Sequence, residues 1–183
     1  MSSNDPERIT ELIYRLGRVM AADEWAEGLN PTQWAALSYL ARANKFSRAP
    51  SQVSDFMAAT RGTVSQTLKA LAKKGLISEI PSAQDKRSIS YAVTKQGAAL
   101  LRRPNLVEEA VSSLKASERS SLRAGLETLA RTALRQRGSR SFGVCKTCVH
   151  HRKVGRGGYC QLLDEPLSPT ETTQICHEHA EAA

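Results

Sequence analysis

No cysteine precedes Cys145 in this 183-residue chain, so its thiol chemistry is confined to the C-terminal stretch. No uncharged apolar run approaches the roughly 20 residues that a bilayer span requires. The opening MSSNDPERITELIYRL lacks the basic-then-apolar pattern of a secretory leader. These absences lead to the expectation of a soluble, cytoplasmic protein with no membrane partner. Thiols stay reduced in that compartment, so clustered cysteines there suggest metal or redox chemistry over structural disulfides. Catalytic patterns are lacking too. There is no glycine-rich nucleotide loop, no Ser/His/Asp arrangement and no paired carboxylates with a pocket signature, so an enzyme is not expected.

What is present is positive charge and helical periodicity. The formal net charge is +8 and the sequence pI about 9.6. Such an excess favours polyanions, because neutralising phosphates releases condensed counterions, although it also serves solubility. Hydrophobic residues make up 40% and charged residues 24%. That suffices for one main domain with room for a small appendage. Abundant helix formers imply a mainly α fold.

Asp5 can cap a first helix with Pro6 at its first position and Ile9, Leu12, Ile13, Leu16 and Met20 at helical spacing, closed by Gly28. A second helix opens at Asn30-Pro31, where Asn30 with Gln33 forms a capping-box pattern. Trp34, Leu37 and Leu40 make its stripe. At that spacing Trp34 reads as core in preference to a ligand-stacking residue. Residues 42–50 read as a polar connector. Two short helices follow, the first carrying Val53, Phe56 and Met57. The second runs from Thr60 to Lys74, with Val64, Leu68 and Leu71 on one face and Gly75 as its stop. Arg61, Thr63, Ser65, Gln66 and Lys69 fall mainly off that face. This is the outline of a helix-turn-helix over about residues 50–75. Period-two patterning follows, with a strand from Leu76 to Ile80, a charged turn, and Ile89, Tyr91 and Val93 alternating with small residues. Strand, charged loop and strand over about residues 76–93 make a β-wing. Thr94 caps a further helix, Pro104 interrupts it, and Leu106, Ala110, Val111 and Leu114 resume the stripe. Ser117 reads as the cap of a last helix carrying Leu122, Leu126, Leu129 and Ala133.

The stretches LNPTQWAALSYLARA, ATRGTVSQTLKALAKKGLI and DKRSISYAVTKQGAALL resemble the second helix, the recognition helix with the start of the wing, and the wing arginine with the following Thr-x-x-Gly helix start of the MarR family. The resemblance extends over about residues 7–137. It departs at Ala49, where a capping Ser or Thr is common, and entirely after about residue 138. It implies a winged helix-turn-helix that binds double-stranded DNA at a pseudo-palindromic operator as a homodimer and regulates transcription, by default as a repressor. A recognition helix offers hydrogen-bonding side chains to base edges in the major groove. Thr63, Ser65 and Gln66 suit that role, and Arg61 and Lys69 can reach phosphates or guanine. The resemblance also implies that Arg87 enters the minor groove oriented by Asp85, with Lys86 on a phosphate; a narrow A·T-rich groove attracts such an arginine. It assigns the dimer to residues 6–27 and 104–137, and it leaves open a small phenolic or lipophilic effector at the dimer cleft.

The segment 138–183 differs from residues 1–137: a GSRSFG linker leads into short apolar runs and all four cysteines, Cys145, Cys148, Cys160 and Cys176. One C-x2-C pair and two single cysteines fit a tetrahedral zinc ion or an iron–sulfur cluster. The unpaired later ligands favour iron–sulfur slightly. His150, His151, His177 or His179 could replace one thiolate, and a reversible disulfide is a third possibility. Arg152, Lys153 and Arg156 form a basic stretch that either meets phosphates or is solvated. Together these give a regulator whose DNA affinity follows the state of the cysteine site. The expected route is disorder of the tail beside the dimer helices, changing the distance between recognition helices. Purely structural zinc with a separate effector is one alternative. A thiol redox protein or electron carrier is another.

Overall fold

The computed structural model describes residues 5–26, 28–81, 89–102, 105–136, 138 and 142–181. Its helices are α1 (Asp5–Ala26), α2 (Pro31–Arg42), α3 (Pro50–Met57), α4 (Arg61–Lys73), α5 (Lys95–Leu100), α6 (Leu106–Ser113) and α7 (Ala116–Gln136). Between α4 and α5 lie the antiparallel strands β1 (Ile77–Pro81) and β2 (Ile89–Val93), in register from Ile77 opposite Val93 to Pro81 opposite Ile89. The result is mainly helical with a small β-wing.

The starts and stops follow local chemistry. The Asn30 side chain accepts the Gln33 N–H at 2.8 Å and Gln33 accepts the Asn30 N–H at 3.4 Å, so α2 begins in a full capping box. Thr60 Oγ1 accepts the Thr63 N–H at 3.2 Å to start α4. Gly75, at φ +70°, lets the chain turn out of α4 into the wing. The buried stripes of α2, α3 and α4 then meet. Leu37, Val53, Val64, Leu68 and Leu71 are sealed from solvent, with Ile77 and Tyr91 of the wing closing the cluster. Each fully buried Leu or Val of this kind contributes about 1.5–3 kcal/mol.

The Thr-x-x-Gly start of α5 has a physical reason. Thr94 Oγ1 donates to the Gly75 carbonyl at 2.7 Å and accepts the Gly97 N–H at 3.1 Å. That pulls α5 onto the end of α4. A Cβ on Gly97 would stand 2.3 Å from the Leu76 carbonyl oxygen and 3.0 Å from Val93 Cγ1. Gly97→Ala is therefore expected to destabilise the protein by about 1–3 kcal/mol, read as a lower urea midpoint. An unchanged midpoint would mean that α5 is not held this tightly.

Some expectations shift. The first strand starts one residue later than expected, with Leu76 buried ahead of it. Asp5 is already helical. Ser117 is not the cap of α7: the helix begins at Ala116, and the Glu118 carboxylate accepts the Lys115 N–H at 2.8 Å. A glutamate three residues in takes the N–H of the capping residue itself, the half of a capping box that a serine cap does not supply. Pro104 and residues 139–141 of the GSRSFG linker lie outside the described residues.

Past α7 the chain forms β3 (Gly143–Val144), β4 (His151–Val154), β5 (Gly157–Cys160), β6 (Glu165–Leu167) and β7 (Ile175–Cys176). β4, β5 and β6 make a three-stranded antiparallel sheet, and β3 pairs with β7. This C-terminal module packs on the α2–α3 corner. Residues 42–50 are polar in sequence yet not a solvated connector: Ala43, Asn44 and Ser47 are each at most 1% exposed. Ala43 bridges Ile175 in parallel, and the Asn44 N–H donates to the Ile175 carbonyl at 2.9 Å. Phe142 stacks edge-on against Tyr39 and Phe56. No described helix is long and apolar enough to cross a membrane.

Candidate nucleic-acid interface and cysteine site

Burial divides α4 into two faces. Val64, Thr67, Leu68 and Leu71 point into the core, while Arg61, Thr63, Ser65, Gln66 and Lys69 are all exposed. The spacing that buries the first set fixes the second on the outside. The exposed set offers two cations, two hydroxyls and one amide. Thr63 is partly committed, since its hydroxyl lies 2.9 Å from Thr60 Oγ1 at the helix start. The five predicted residues of α4 are thus brought onto one accessible helix. Asp85, Lys86 and Arg87 lie outside the described residues. The wing that carries them is anchored at its base, where Tyr91 donates its N–H to the Arg48 carbonyl at 3.1 Å and its hydroxyl to Glu79 at 3.3 Å.

Helices α6 and α7 contain no buried residue among those described. Leu122, Leu126 and Leu129 of α7 and Ile9, Leu12, Ile13 and Leu16 of α1 are each more than two-fifths exposed. A groove of about 570 Å³ runs along Leu122, Leu126 and Val111. Asp23 of α1 accepts the Leu106 N–H at 3.1 Å, tying α1 to the start of α6. A second cleft, of about 510 Å³, lies between α1, α2 and α6 and is lined by Met20, Trp34, Phe56 and Leu101 among others. Trp34 is a core residue, as its spacing predicts, and one edge of it also faces this cleft.

The four cysteines are free thiols; Cys145, Cys160 and Cys176 are buried and Cys148 partly so. They come from three pieces of the module. Cys145 and Cys148 flank a single helical turn, Cys160 ends β5, and Cys176 ends β7. Cys145, Cys160 and Leu167 form one small core, with Phe46 of the α2–α3 corner packed against it. Burial pushes the Cys145 thiol up to about 11, and Cys176, Cys160 and Cys148 all add to the rise by electrostatic repulsion. The set therefore converges on one neighbourhood. The Ala180 N–H donates to Cys148 Sγ at 3.4 Å. Among the described residues, no three His, Cys, Asp or Glu side chains stand in position to hold a metal ion. Donor type and burial fit a thiolate-bound metal; the side-chain positions do not form a ready ligand shell.

The histidines have other work. The Cβ that Gly143 lacks would sit 2.4 Å from His179 Nδ1, and that of Gly158 2.2 Å from His151 Nε2. The His179 ring thus lies against Gly143 and the edge of the His151 ring against Gly158, leaving no room for a side chain at either glycine. His177 reaches the α2–α3 corner while its Nε2 also lies 2.8 Å from the Glu178 carboxylate. Its N–H donates to Ser47 Oγ at 2.9 Å, and its Nε2 lies 3.2 Å from Gln52 Nε2. Sequence reasoning missed this contact. The one available signal was Ala49, a poor cap, followed three residues later by Gln52. Arg152, Lys153 and Arg156 are exposed on the β4–β5 hairpin, with Arg152 over the Tyr159 ring.

Ion pairs reinforce the docking: Lys45 lies 3.4 Å from Glu165 and 3.8 Å from Glu171. Burial alone would raise the Glu171 carboxyl, but hydrogen bonds from Ser168 and the charges of Lys45 and Arg48 outweigh it and leave it below the usual range. A depressed carboxylate adds stability that is present above the unfolded-state pKa and is lost as pH falls through the folded one.

The geometry defines a winged helix-turn-helix with an exposed polar face on α4. Residues 27–88 match the family model described as the MarR family. Solved structures agree on the fold. S. aureus MepR in a DNA complex is 20% identical with a TM-score of 0.54, covering 72% of this chain and 98% of its own. Streptococcus pneumoniae FabT in complex with DNA is 24% identical with a TM-score of 0.54, covering 70% and 97%. A MarR transcriptional regulator from Methanosarcina mazei Go1 is 19% identical with a TM-score of 0.56, covering 70% and 96%. At these identities the likeness shows a MarR-like winged-helix fold and nothing finer. None of the curated proteins matches the chain.

Proposed function

We propose that this protein is a MarR-type transcription regulator that binds double-stranded DNA as a homodimer. The observation that carries the reading is α4: a helix locked by Val64, Leu68 and Leu71 that presents Arg61, Thr63, Ser65, Gln66 and Lys69 to solvent. In a winged helix this is the element that enters the major groove. Gln66 and Arg61 are the side chains suited to paired hydrogen bonds with base edges, and Lys69 to a phosphate. Arg87, oriented by Asp85, takes the minor groove, with Lys86 on the backbone. Relatives of this fold have been crystallised on DNA, which supports the partner.

The second subunit is a second copy of the chain. A 21-residue helix without a buried residue, α7, gains little from its own subunit. The leucines of α7 and the stripe of α1 bury together only across a two-fold axis. Selection from random duplexes, followed by fluorescence anisotropy, tests the reading. A pseudo-palindromic site bound far more tightly than bulk DNA is expected, with affinity falling steeply as salt rises. Binding without sequence preference would overturn it.

Cys145, Cys148, Cys160 and Cys176 hold an iron–sulfur cluster in this reading, and DNA affinity follows its state. The four thiolates would supply its ligands, and a bound metal would favour their deprotonated form. Protein purified without oxygen is expected to be coloured, with iron and sulfide in the analysis. One colourless zinc per chain would make the site structural. The signal would then be a small apolar effector, for which the cleft at Trp34 and Phe56 is the supporting observation.

A further inference from the structure

Resting on the reading of the protein as a DNA-binding regulator, we propose that the β4–β5 hairpin of the C-terminal module is a second DNA contact, in which Arg152, Lys153 and Arg156 hold backbone phosphates flanking the operator. The starting observation is how charge is divided within the module. Residues 141–163 carry Lys146, Arg152, Lys153 and Arg156 and no acid, while residues 164–183 carry Asp164, Glu165, Glu171, Glu178 and Glu181 and no lysine or arginine. The acids are all engaged inside the chain. Glu165 and Glu171 pair with Lys45, Glu181 pairs with Arg131 and Arg135, Glu178 lies against His177, and Asp164 accepts the Tyr159 hydroxyl. The four cations are exposed, and none makes an ion pair among the described residues.

The hairpin presents these cations on a fixed frame. Arg152 to Val154 pair with Gly157 to Tyr159 across a two-residue turn, Gly155-Arg156, with Gly155 at φ +56°. A Cβ on Gly157 would stand 2.3 Å from the Leu167 carbonyl oxygen and one on Gly158 2.2 Å from His151 Nε2, so β5 lies close on both neighbours. The Arg152 guanidinium lies 5.5 Å from the centre of the Tyr159 ring, which Asp164 tethers in turn. Stacking of this kind fixes a guanidinium without using its N–H donors. Strand alternation sets Arg152 and Lys153 on opposite faces, with Arg156 in the turn, so the tip is cationic on both sides. Side chains held in place beforehand lose less freedom on meeting a ligand.

The sheet order turns this edge outward. β6 meets the winged helix through Glu165 and Lys45, β5 follows, and β4 is the far strand, about 10 Å further out at the usual strand spacing. The module itself is seated at the start of α3. The His177 N–H donates to Ser47 Oγ at 2.9 Å, and the Asn44 N–H donates to the Ile175 carbonyl at 2.9 Å. Arg48 of the same corner anchors the wing, its carbonyl accepting the Tyr91 N–H. In a helix-turn-helix the reading helix lies in the major groove and the first helix crosses the backbone. Here that first helix is α3. A module fastened to its start stands beside the passing phosphates, and its outward strand is the basic one. Arginine and lysine on a rigid tip without acids suit phosphate oxygens, through charge-assisted hydrogen bonds. Such a contact adds affinity and carries no sequence preference. It needs only the folded hairpin, whatever the cysteines hold.

The test uses the full-length protein and two labelled duplexes, the selected operator alone and the operator extended by about one helical turn, roughly 10 base pairs, on each side. Wild type is expected to bind the extended duplex at least about tenfold more tightly at 0.1 M salt, with a steeper salt slope, whatever the flanking sequence. The R152A/K153A/R156A variant should bind both duplexes alike. Its salt slope on the extended duplex should fall by up to about five, at about 0.9 for each phosphate contact of six cations in a dimer. R152K/R156K keeps the charge and should keep the preference for the extended duplex. All three positions are exposed, so thermal stability and sedimentation should match wild type. Should the triple variant lose its fold, Arg156→Ala in the turn carries the same readout, with a slope lower by about two. An alanine variant that retains the wild-type preference and slope would overturn the inference while leaving the operator reading intact, and the cations would then serve to cover an edge strand. A preference that follows the flanking sequence would overturn it as well. Wild type that selects no operator would overturn the DNA-binding reading and the inference with it.

Discussion

Leu126→Glu is expected to convert the protein to a monomer and to lower operator affinity by about 10²–10⁴-fold, the advantage that joining two binding units confers. Leu126 is 47% exposed in the single chain and lies in the groove along α6 and α7. Its replacement should therefore cost the isolated subunit little, while placing a charge in an interface that must be dry. An unpaired buried charge costs several kcal/mol. Leu12→Glu on α1 should do the same from the other side. Sedimentation gives the oligomeric state and anisotropy gives the affinity. A Leu126→Glu protein that sediments as a dimer with unchanged affinity would place the subunit contact elsewhere.

The second large effect belongs to α4. Arg61→Ala and Gln66→Ala should each weaken operator binding by about 1–3 kcal/mol, roughly 5–150-fold per contact, and relax preference at the base pair concerned. Two symmetric copies in a dimer would compound the loss. Lys69→Ala should weaken all sequences alike and reduce the salt slope by about one. All three residues are exposed, so circular dichroism and thermal stability should stay unchanged, separating a reading role from a folding role. Equal affinity of the Gln66→Ala protein for operator and scrambled duplex, with wild type discriminating, would identify Gln66 as a base reader. Unchanged discrimination would move that role to a neighbour.

These two expectations differ in how far the sequence alone supports them. The i, i+4, i+7 spacing of Val64, Leu68 and Leu71 fixes which side of α4 is buried, and so which residues face out, without any knowledge of what they pack on. Asn30 with Gln33, Thr60, Gly75 and Thr94 mark their elements for the same reason, because helix ends are satisfied by residues within a few positions. The alternation of Ile89, Tyr91 and Val93 makes the second wing strand legible in the same way. Charge and the run of cysteines likewise raise two chemistries, polyanion binding and thiol ligation, as expectations.

Tertiary structure decided what depends on distant partners. Residues 42–50 look like a solvated connector because Asn44, Lys45, Ser47 and Arg48 are polar. Ala43, Asn44 and Ser47 among them are buried because β7 and Phe142 arrive from the other end of the chain, a pairing that no local pattern encodes. Arg48 donates through Nε and Nη2 to the Ala43 carbonyl at 2.9 and 2.8 Å, closing the corner on itself. The Ala49 departure from the family pattern is visible in sequence, but its compensation by Gln52 and His177 is not. The sequence determines a helix-turn-helix with an outward polar face and a thiol-rich tail, since both rest on short-range periodicity and residue chemistry. Only the fold decides that the tail is seated on the corner that supports the reading helix, because that contact is made by packing between segments more than a hundred residues apart.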